Sequence, residues 1–391
     1  MFKLPPIPDR LAQLPPYLFV DIDRKKAEII EKGADVIDFG IGDPDQPTPP
    51  FIVNSMRAAI EKPAYHRYPA SRGSLAFRQA VAKFFAKRYG VTLDPKTEIL
   101  ALIGSKEGIG HFPLALLNPG DKALIPTPGY PVYESGTLFA SGIPVDMPLA
   151  AERNWQPDWD TLEREDHSDK KLMFLNYPNN PTGASCTLDD LKRAAAFAKK
   201  NGIVFAHDAA YNEMYYADAL PPSALQLDNV REYTIEFHSL SKTFNMTGWR
   251  IGFAVGNAEL IDRLAKVKAN LDSSQFTAIQ EASIAALEGI DGPEIKQLRK
   301  MYRARRDALC PALEACGFQL SPPDATFYIW CKCPEGYQSL DVVNKLLEKA
   351  AIVSIPGSGF GKAGAGYVRF ALTINEERIK EAAQRIKGLD W

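Results

Sequence analysis

Lys242 lies in the run Ser239-Leu240-Ser241-Lys242-Thr243-Phe244-Asn245-Met246-Thr247-Gly248-Trp249-Arg250, between two apolar stretches of strand length. An amine flanked by small hydroxyls, with a guanidinium eight residues on, suits imine formation beside donors for a phosphate. The pattern is short, and a solvated loop lysine would carry the same residues. Upstream, the apolar run 203–207 ends at Asp208-Ala209-Ala210-Tyr211. A carboxylate at the end of a parallel strand stands where α/β sheets bind ligands. It can keep a pyridine nitrogen protonated and so make the ring an electron sink for a carbanion at an amino acid's Cα. A helix N-cap is the equally common use of aspartate. Tyr211 is placed to donate to an oxygen of such a ring.

Two further stretches follow strand-like runs. Asn176-Tyr177-Pro178-Asn179-Asn180-Pro181-Thr182-Gly183 is a tight loop that can present the Asn180 amide, or only a turn. Gly104-Ser105-Lys106-Glu107-Gly108 leads into a helix whose first N–H groups can hold a phosphate, or is an ordinary helix start.

The elements that must position these residues alternate. Apolar runs at 99–103, 123–126, 172–176, 203–207, 234–238 and 251–255, separated by amphipathic stretches, predict an α/β domain with a mainly parallel sheet covered on both faces. Between two of them, Thr187 caps a helix whose Leu188, Leu191, Ala195 and Ala198 share a face, and Gly202 closes it. Beyond residue 286 a long charged helix (293–316), strands near 327–331, 352–355 and 367–372 and a helix from Asn375 predict a smaller α+β domain. The division expected is a large domain over 49–285, a small domain over 286–391, and a proline-rich segment over 1–48 packing with the small one. Net charge is −2, from 46 Lys and Arg against 48 Asp and Glu, which gives no reason to expect nucleic acid or an anionic membrane. No run of about 18 apolar residues and no leader-like start occur, and five cysteines need no disulfide framework, so the expectation is a reduced, cytoplasmic chain. Cys331-Lys332-Cys333 lacks a second ligand pair, so strand packing is expected there and no metal.

Together, the four motifs, in this order and spacing from about Asp38 to Arg369, resemble the fold-type I pyridoxal-phosphate (PLP) aminotransferases of the aspartate aminotransferase superfamily. The resemblance implies a seven-stranded, mainly parallel sheet in a three-layer large domain, with PLP held by Lys242 as a Schiff base. It implies Asp208 on the pyridine nitrogen, Tyr211 and Asn180 on the ring oxygen, and Ser239, Arg250, Ser105 and Lys106 around the phosphate. Tyr130, in Pro126-Thr127-Pro128-Gly129-Tyr130-Pro131, resembles the aromatic that stacks on the ring. Arg369, in Tyr367-Val368-Arg369-Phe370, resembles the guanidinium that takes the substrate carboxylate, with a structural ion pair as the rival reading. Gly42 resembles the glycine whose backbone approaches that carboxylate. Tyr68 resembles the tyrosine that reaches a neighbouring subunit's phosphate, which implies a homodimer with shared sites. Gly359-Phe360-Gly361-Lys362-Ala363-Gly364 fits a dinucleotide fingerprint, but the next element reads as a strand and only 27 residues remain, so it reads as a loop before Arg369.

Within the superfamily the likeness is greatest to the LL-diaminopimelate aminotransferases of lysine biosynthesis, through Pro15-Pro16-Tyr17-Leu18-Phe19, the run 39–49, 102–108 and 128–133. Tyr17, Lys106, Tyr130 and Asn180 match substrate-contacting positions there, and 2-oxoglutarate is the implied amino acceptor. The departure is at Ser71 and Arg72, where plant-type relatives carry a glutamate for the distal ammonium. An aspartate, alanine or aromatic aminotransferase, or a carbon–sulfur β-lyase, would keep the same cofactor residues.

Overall fold

The computed structural model describes residues 4–14, 19–217 and 219–391. Its strands, in chain order, are β1 (Ile37–Asp38), β2 (Ile99–Leu102), β3 (Lys122–Thr127), β4 (Ile143–Ala150), β5 (Gln156–Pro157), β6 (Lys170–Asn176), β7 (Val204–Asp208), β8 (Thr234–Ser239), β9 (Gly252–Gly256), β10 (Tyr328–Lys332), β11 (Ile352–Val353), β12 (Ile355–Pro356) and β13 (Tyr367–Ala371). The large sheet has the order β2-β9-β8-β7-β6-β3-β4-β5. The pairs β4–β3, β3–β6, β6–β7 and β7–β8 are parallel, and β9 runs against both its neighbours. This is the expected seven-stranded, mainly parallel sheet, lengthened at one edge by the two-residue β5.

Continuous apolar runs make this sheet because both its faces are dry. Successive side chains alternate faces. Met173, Leu175, Phe205 and Phe253 enter one apolar cluster, while Leu172, Phe174, Ala206 and Ala254 enter another on the opposite side. Phe174, Phe205, Phe237 and Phe253 are fully buried, each contributing on the order of 1.5–3 kcal/mol. The one strand of the seven absent from the sequence reading is β4. Its Pro144 and Pro148 break the strand pattern, and they are tolerated because β4 lies next to the sheet edge and meets only the two-residue β5 on its outer side.

The helix Leu188–Asn201 forms as expected: Thr187 and Asp190 make a capping box and Gly202 adopts the left-handed C-cap. Its buried residues are Leu191, Ala194, Ala195, Phe197 and Ala198, whereas Leu188 is exposed in the first turn, against expectation. In the C-terminal part, the run read as one strand at 352–355 is divided at Ser354: β11 pairs with β1, and β12 with β13. The fingerprint-like segment forms two short 3-10 turns before β13, and the Gly129 N–H donates to the Phe360 carbonyl at 2.9 Å. Cys331 and Cys333 are buried, Cys331 within β10, and all five cysteines are free. Among the described residues no cluster of His, Cys, Asp and Glu could hold a metal ion, and no helix is long and apolar enough to cross a membrane.

The segment around β1 is tied to the C-terminal part. Ile37 and Phe39 share a core with Tyr302, Phe327 and Phe370. Arg305, 2% exposed, makes a bidentate pair with Asp45 at 2.6 and 2.7 Å, and Arg378 does the same with Asp35. The loop after β1 also reaches the connection between β8 and β9, where Thr48 Oγ1 donates to the Asn245 carbonyl at 2.6 Å. It therefore bridges both halves of the molecule.

Candidate active site

Three neighbouring strands end together. Asn176 closes β6 and stands opposite Asp208, the last residue of β7, while Ser239 closes β8 and leads into the single turn Leu240–Thr243 that carries Lys242. Parallel neighbours put these ends on one side of the sheet, so residues far apart in sequence converge.

Lys242 is largely buried, and its Nζ donates to the Gly42 carbonyl at 2.7 Å and lies 5.6 Å from the Phe327 ring centroid. Burial lowers its pKa from 10.5 to about 8; Asp43 opposes this, and the charges of Arg250 and Arg369 reinforce it. A lysine in this state is the more easily neutralised amine that nucleophilic addition to a carbonyl needs.

Asp208 is 4% exposed. Its Oδ2 accepts from the Tyr133 hydroxyl at 2.7 Å and its Oδ1 from the Ala210 N–H at 3.1 Å. Burial raises its pKa, against the pull of those two donors and of His207 and His238. No helix begins at Asp208, so the N-cap reading falls away. Asn176 fastens this strand end to the neighbouring loop: its Nδ2 donates to the Asp208 carbonyl at 2.8 Å and its Oδ1 accepts from the Asn180 N–H at 2.7 Å. Tyr211 is buried, with its hydroxyl 3.0 Å from that of Tyr328, and burial holds it protonated.

Arg369 lies on β13 opposite Trp330 and is 4% exposed. Its Nη1 donates to Asn180 Oδ1 at 2.9 Å and its Nη2 to the Gly40 carbonyl at 2.8 Å, while Nε is buried without a partner. Tyr328 and Phe360 flank the guanidinium at 4.3 and 4.8 Å from their ring centroids. Among the described residues no carboxylate pairs with it, so the structural ion pair is not found. Burial works against its charge, which an incoming carboxylate would repay.

At the opposite side of Lys242, Gly104 (φ 74°) precedes the helix Ser105–Leu116. A Cβ at Gly104 would overlap the Arg250 guanidinium, and one at Gly252 would stand 2.8 Å from the Ser105 N–H. The two missing side chains thus let an arginine and β9 pack closely against the start of the helix Ser105–Leu116, which brings a guanidinium beside the first N–H groups of that helix, donors of anion-binding chemistry. Arg250 itself is held at φ 57°, ψ 57°, an uncommon conformation for a side chain of this size. Ser239 Oγ accepts from the Ser241 N–H at 3.2 Å, which leaves its O–H to donate.

The structure therefore gathers Lys242, Asp208, Tyr211, Asn180, Arg369, Ser239, Arg250, Ser105 and Gly42 around the strand ends. Tyr130 packs edge-on to Tyr133, at 5.9 Å between centroids. Lys106 is exposed, and Tyr68 is left 88% exposed by a single chain. Tyr17 lies outside the described residues. Arg72 is paired with Asp262 at 2.6 Å and Ser71 is exposed. Sequence reasoning gave no role to Tyr133, Asn176, Tyr328 or Gly40. Gly42, which the sequence reading did name, must lack a side chain, since a Cβ there would overlap the Tyr328 hydroxyl.

Comparison with known proteins agrees with this geometry. The model of the family "Aminotransferase class I and II" matches residues 34–386. The chain is 51% identical over 381 residues to an LL-diaminopimelate aminotransferase of Aquifex aeolicus, covering 97% of this chain and 98% of the relative. It is 49% identical over 383 residues to the enzyme of that name from Syntrophobacter fumaroxidans, covering 98% of each. Among solved structures, substrate-bound BacF from Bacillus subtilis is similar with a TM-score of 0.92 at 37% identity, covering 98% of each chain. A lysine and an aspartate at adjoining strand ends, a buried unpaired guanidinium and a full-length family match lead to one conclusion: the chain belongs to the class I and II aminotransferases.

Proposed function

We propose that the protein is a PLP-dependent LL-diaminopimelate aminotransferase of lysine biosynthesis, with 2-oxoglutarate as its amino acceptor. The observation that carries the amino-acid reading is Arg369, a guanidinium 4% exposed with no carboxylate beside it among the described residues, within electrostatic reach of Lys242. The choice of donor is supported by the identity of about half over almost the whole chain to enzymes of that name.

The residues present fit the cofactor. The Arg250 guanidinium packs against Gly104 beside the start of the helix Ser105–Leu116, a grouping of donors that suits a phosphate, and the buried Asp208 carboxylate suits a protonated ring nitrogen. Ser105, Lys106, Ser239 and Arg250 would hold the phosphate, with Tyr68 of a second copy in a homodimer. Tyr130 would cover the ring, and Tyr211 and Asn180 would hold its oxygen. Asn180 Oδ1 is already taken by Arg369, so its NH2 is the end that serves the ring. When bound, PLP supplies a carbonyl carbon to which amines add and a pyridinium that withdraws electrons from the substrate's Cα.

The chain's own part is acid–base work and orientation. Lys242 would be the base that takes the proton from Cα of the amino acid and, once protonated, the acid that gives it back, and its lowered pKa keeps the neutral base accessible near neutral pH. Arg369 fixes the α-carboxylate, which orients the Cα–H bond toward that base. The Gly42 backbone, with Tyr17 from the N-terminal segment, would complete the substrate side. We assign residues 1–48 and 286–391 to a small domain and 49–285 to a large one, with the site between them. The five free cysteines support a cytoplasmic location.

The test is to mix the PLP-loaded protein with LL-diaminopimelate, aspartate, alanine and phenylalanine separately and follow the cofactor's visible absorbance. Conversion with LL-diaminopimelate at least about tenfold faster than with the others, giving an oxo acid and no pyruvate or ammonia, is expected. Preference for another donor overturns the substrate, and release of pyruvate with ammonia and a thiol from an added S-alkylcysteine would indicate a β-lyase. In Lys242→Ala both the visible band and the conversion disappear; retention of both overturns the whole reading.

A further inference from the structure

Among the described residues Tyr133 is the one side-chain hydroxyl bonded to Asp208, at 2.7 Å from Oδ2, and both residues are buried, at 0% and 4% exposure. Its ring is fixed from two sides: it stacks on Phe174 at 4.9 Å with 20° between the planes, and Tyr130 meets it edge-on at 5.9 Å. The ring belongs to an apolar cluster, and its hydroxyl, the ring's only polar atom, donates to the carboxylate. The remaining Asp208 oxygen is held by the Ala210 N–H, so the carboxylate plane is set by one donor at each end.

We propose that Tyr133 is a positioning residue, whose hydroxyl keeps the Asp208 carboxylate charged and fixed in orientation for the ring nitrogen of the bound cofactor. This rests on the reading of Asp208 as that nitrogen's partner. A carboxylate in an apolar cavity would otherwise take up a proton and become a neutral acid, unable to hold a pyridinium. Burial indeed raises the pKa of Asp208, and the Tyr133 bond is the first influence to lower it. Burial and the Asp208 charge together push the Tyr133 hydroxyl pKa far up, so the phenol remains the donor and the carboxylate the acceptor.

Tyr133→Phe removes one oxygen and leaves the ring packing in place. Expected in this variant are a loss of ten- to a hundredfold in the rate of the amino-acid half-reaction, the range of a hydrogen bond to a charged group, and about a tenfold weaker affinity of the cofactor-free protein for PLP, read by fluorescence titration. The KM for the amino acid stays within about twofold, because Arg369 is untouched. A purely structural tyrosine would lower the melting temperature while leaving the half-reaction rate and the PLP affinity within twofold, and that result overturns the proposal. A second variant covers failure of Tyr133→Phe to fold: 3-fluorotyrosine at position 133 is a stronger donor of nearly the same volume and should tighten PLP binding by about twofold or more. Unchanged or weaker binding there overturns the proposal too. Asp208→Asn separates the two levels. If it binds PLP and reacts normally, the reading of Asp208 fails; if it is inactive while both Tyr133 variants behave as wild type, only the role of Tyr133 fails.

Discussion

Lys242 and Arg369 share a device: each cation is bonded to a carbonyl of the same loop, Gly42 for the lysine and Gly40 for the arginine. Among the described residues neither makes an ion pair with a carboxylate, so each keeps its capacity for an incoming ligand. The pKa of Lys242, lowered to about 8, sets a pH dependence, because only the neutral amine adds to a carbonyl. Uptake of PLP by the cofactor-free protein should accelerate as pH rises and level off above a midpoint near 8; stopped-flow absorbance measures it, and a midpoint near 10.5 would mean that burial does not act as described. For Arg369→Lys, an ammonium cannot reproduce the planar contact with a carboxylate or serve both Asn180 and Gly40. KM for both amino acid and oxo acid should rise about a hundredfold, corresponding to ~3 kcal/mol, with a smaller change in kcat. Steady-state kinetics decide this, and an unchanged KM would remove Arg369 from substrate binding.

At the scale of elements, the site exists because β6, β7 and β8 run in parallel and stop in step. Asn176 does the fastening, joining the end of β7 to the loop that presents Asn180. Asn176→Ala leaves a buried carbonyl and a buried N–H without partners, at about 1–3 kcal/mol each. The expected outcome is a lower melting temperature together with a kcat reduced by about tenfold or more, since Asn180 and Asp208 lose their common anchor. A normal kcat in a less stable protein would confine Asn176 to stability. Much of this level was legible in the chain. Six strands and the capped helix after Thr187 were marked by periodicity, punctuation and caps. The edge strand β4 was not, because its prolines are tolerated only where no continuous neighbour demands their missing N–H. The division of 352–355 at Ser354 was not either, because nothing local says that two-residue pieces will join different partners.

For the molecule as a whole, a buried charge behind the site links β7, β8 and the loop at 223–226. Glu236 is fully buried; its carboxylate accepts from His207 Nδ1 at 2.6 Å, Ser223 Oγ at 2.6 Å and the Ala224 N–H at 2.8 Å. Burial opposes its charge, but the hydrogen bonds and charges of His207 and His238 prevail and hold its pKa well below the usual 4.5. Because the folded-state pKa lies below the unfolded one, this group's stabilisation is fully present above about pH 4.5 and is lost as pH falls further. Glu236→Gln should cost about 3 kcal/mol at pH 7, because the amide NH2 faces donors where the carboxylate accepted hydrogen bonds and leaves a buried donor unpaired. The gap in melting temperature between wild type and variant should then hold from pH 7 to about 5 and narrow below. A gap that stays constant down to pH 3 would show that the charge does not matter.

The sequence by itself determined most of the elements and singled out Lys242, Asp208, Tyr211, Asn180, Arg250 and Arg369 as candidates, because strand runs, caps and short loops are written by neighbouring residues. Tertiary structure alone decided their partners. Tyr133 meets Asp208 across 75 positions, Asn180 meets Arg369 across 189, Gly42 meets Lys242 across 200, and Gly40 meets Arg369 across 329. Such contacts depend on where strands stop and how the N-terminal loop crosses the sheet, and no local pattern encodes either. The state of each group is likewise settled by burial: the same lysine in solvent would be an ordinary cation, and the same aspartate an ordinary anion.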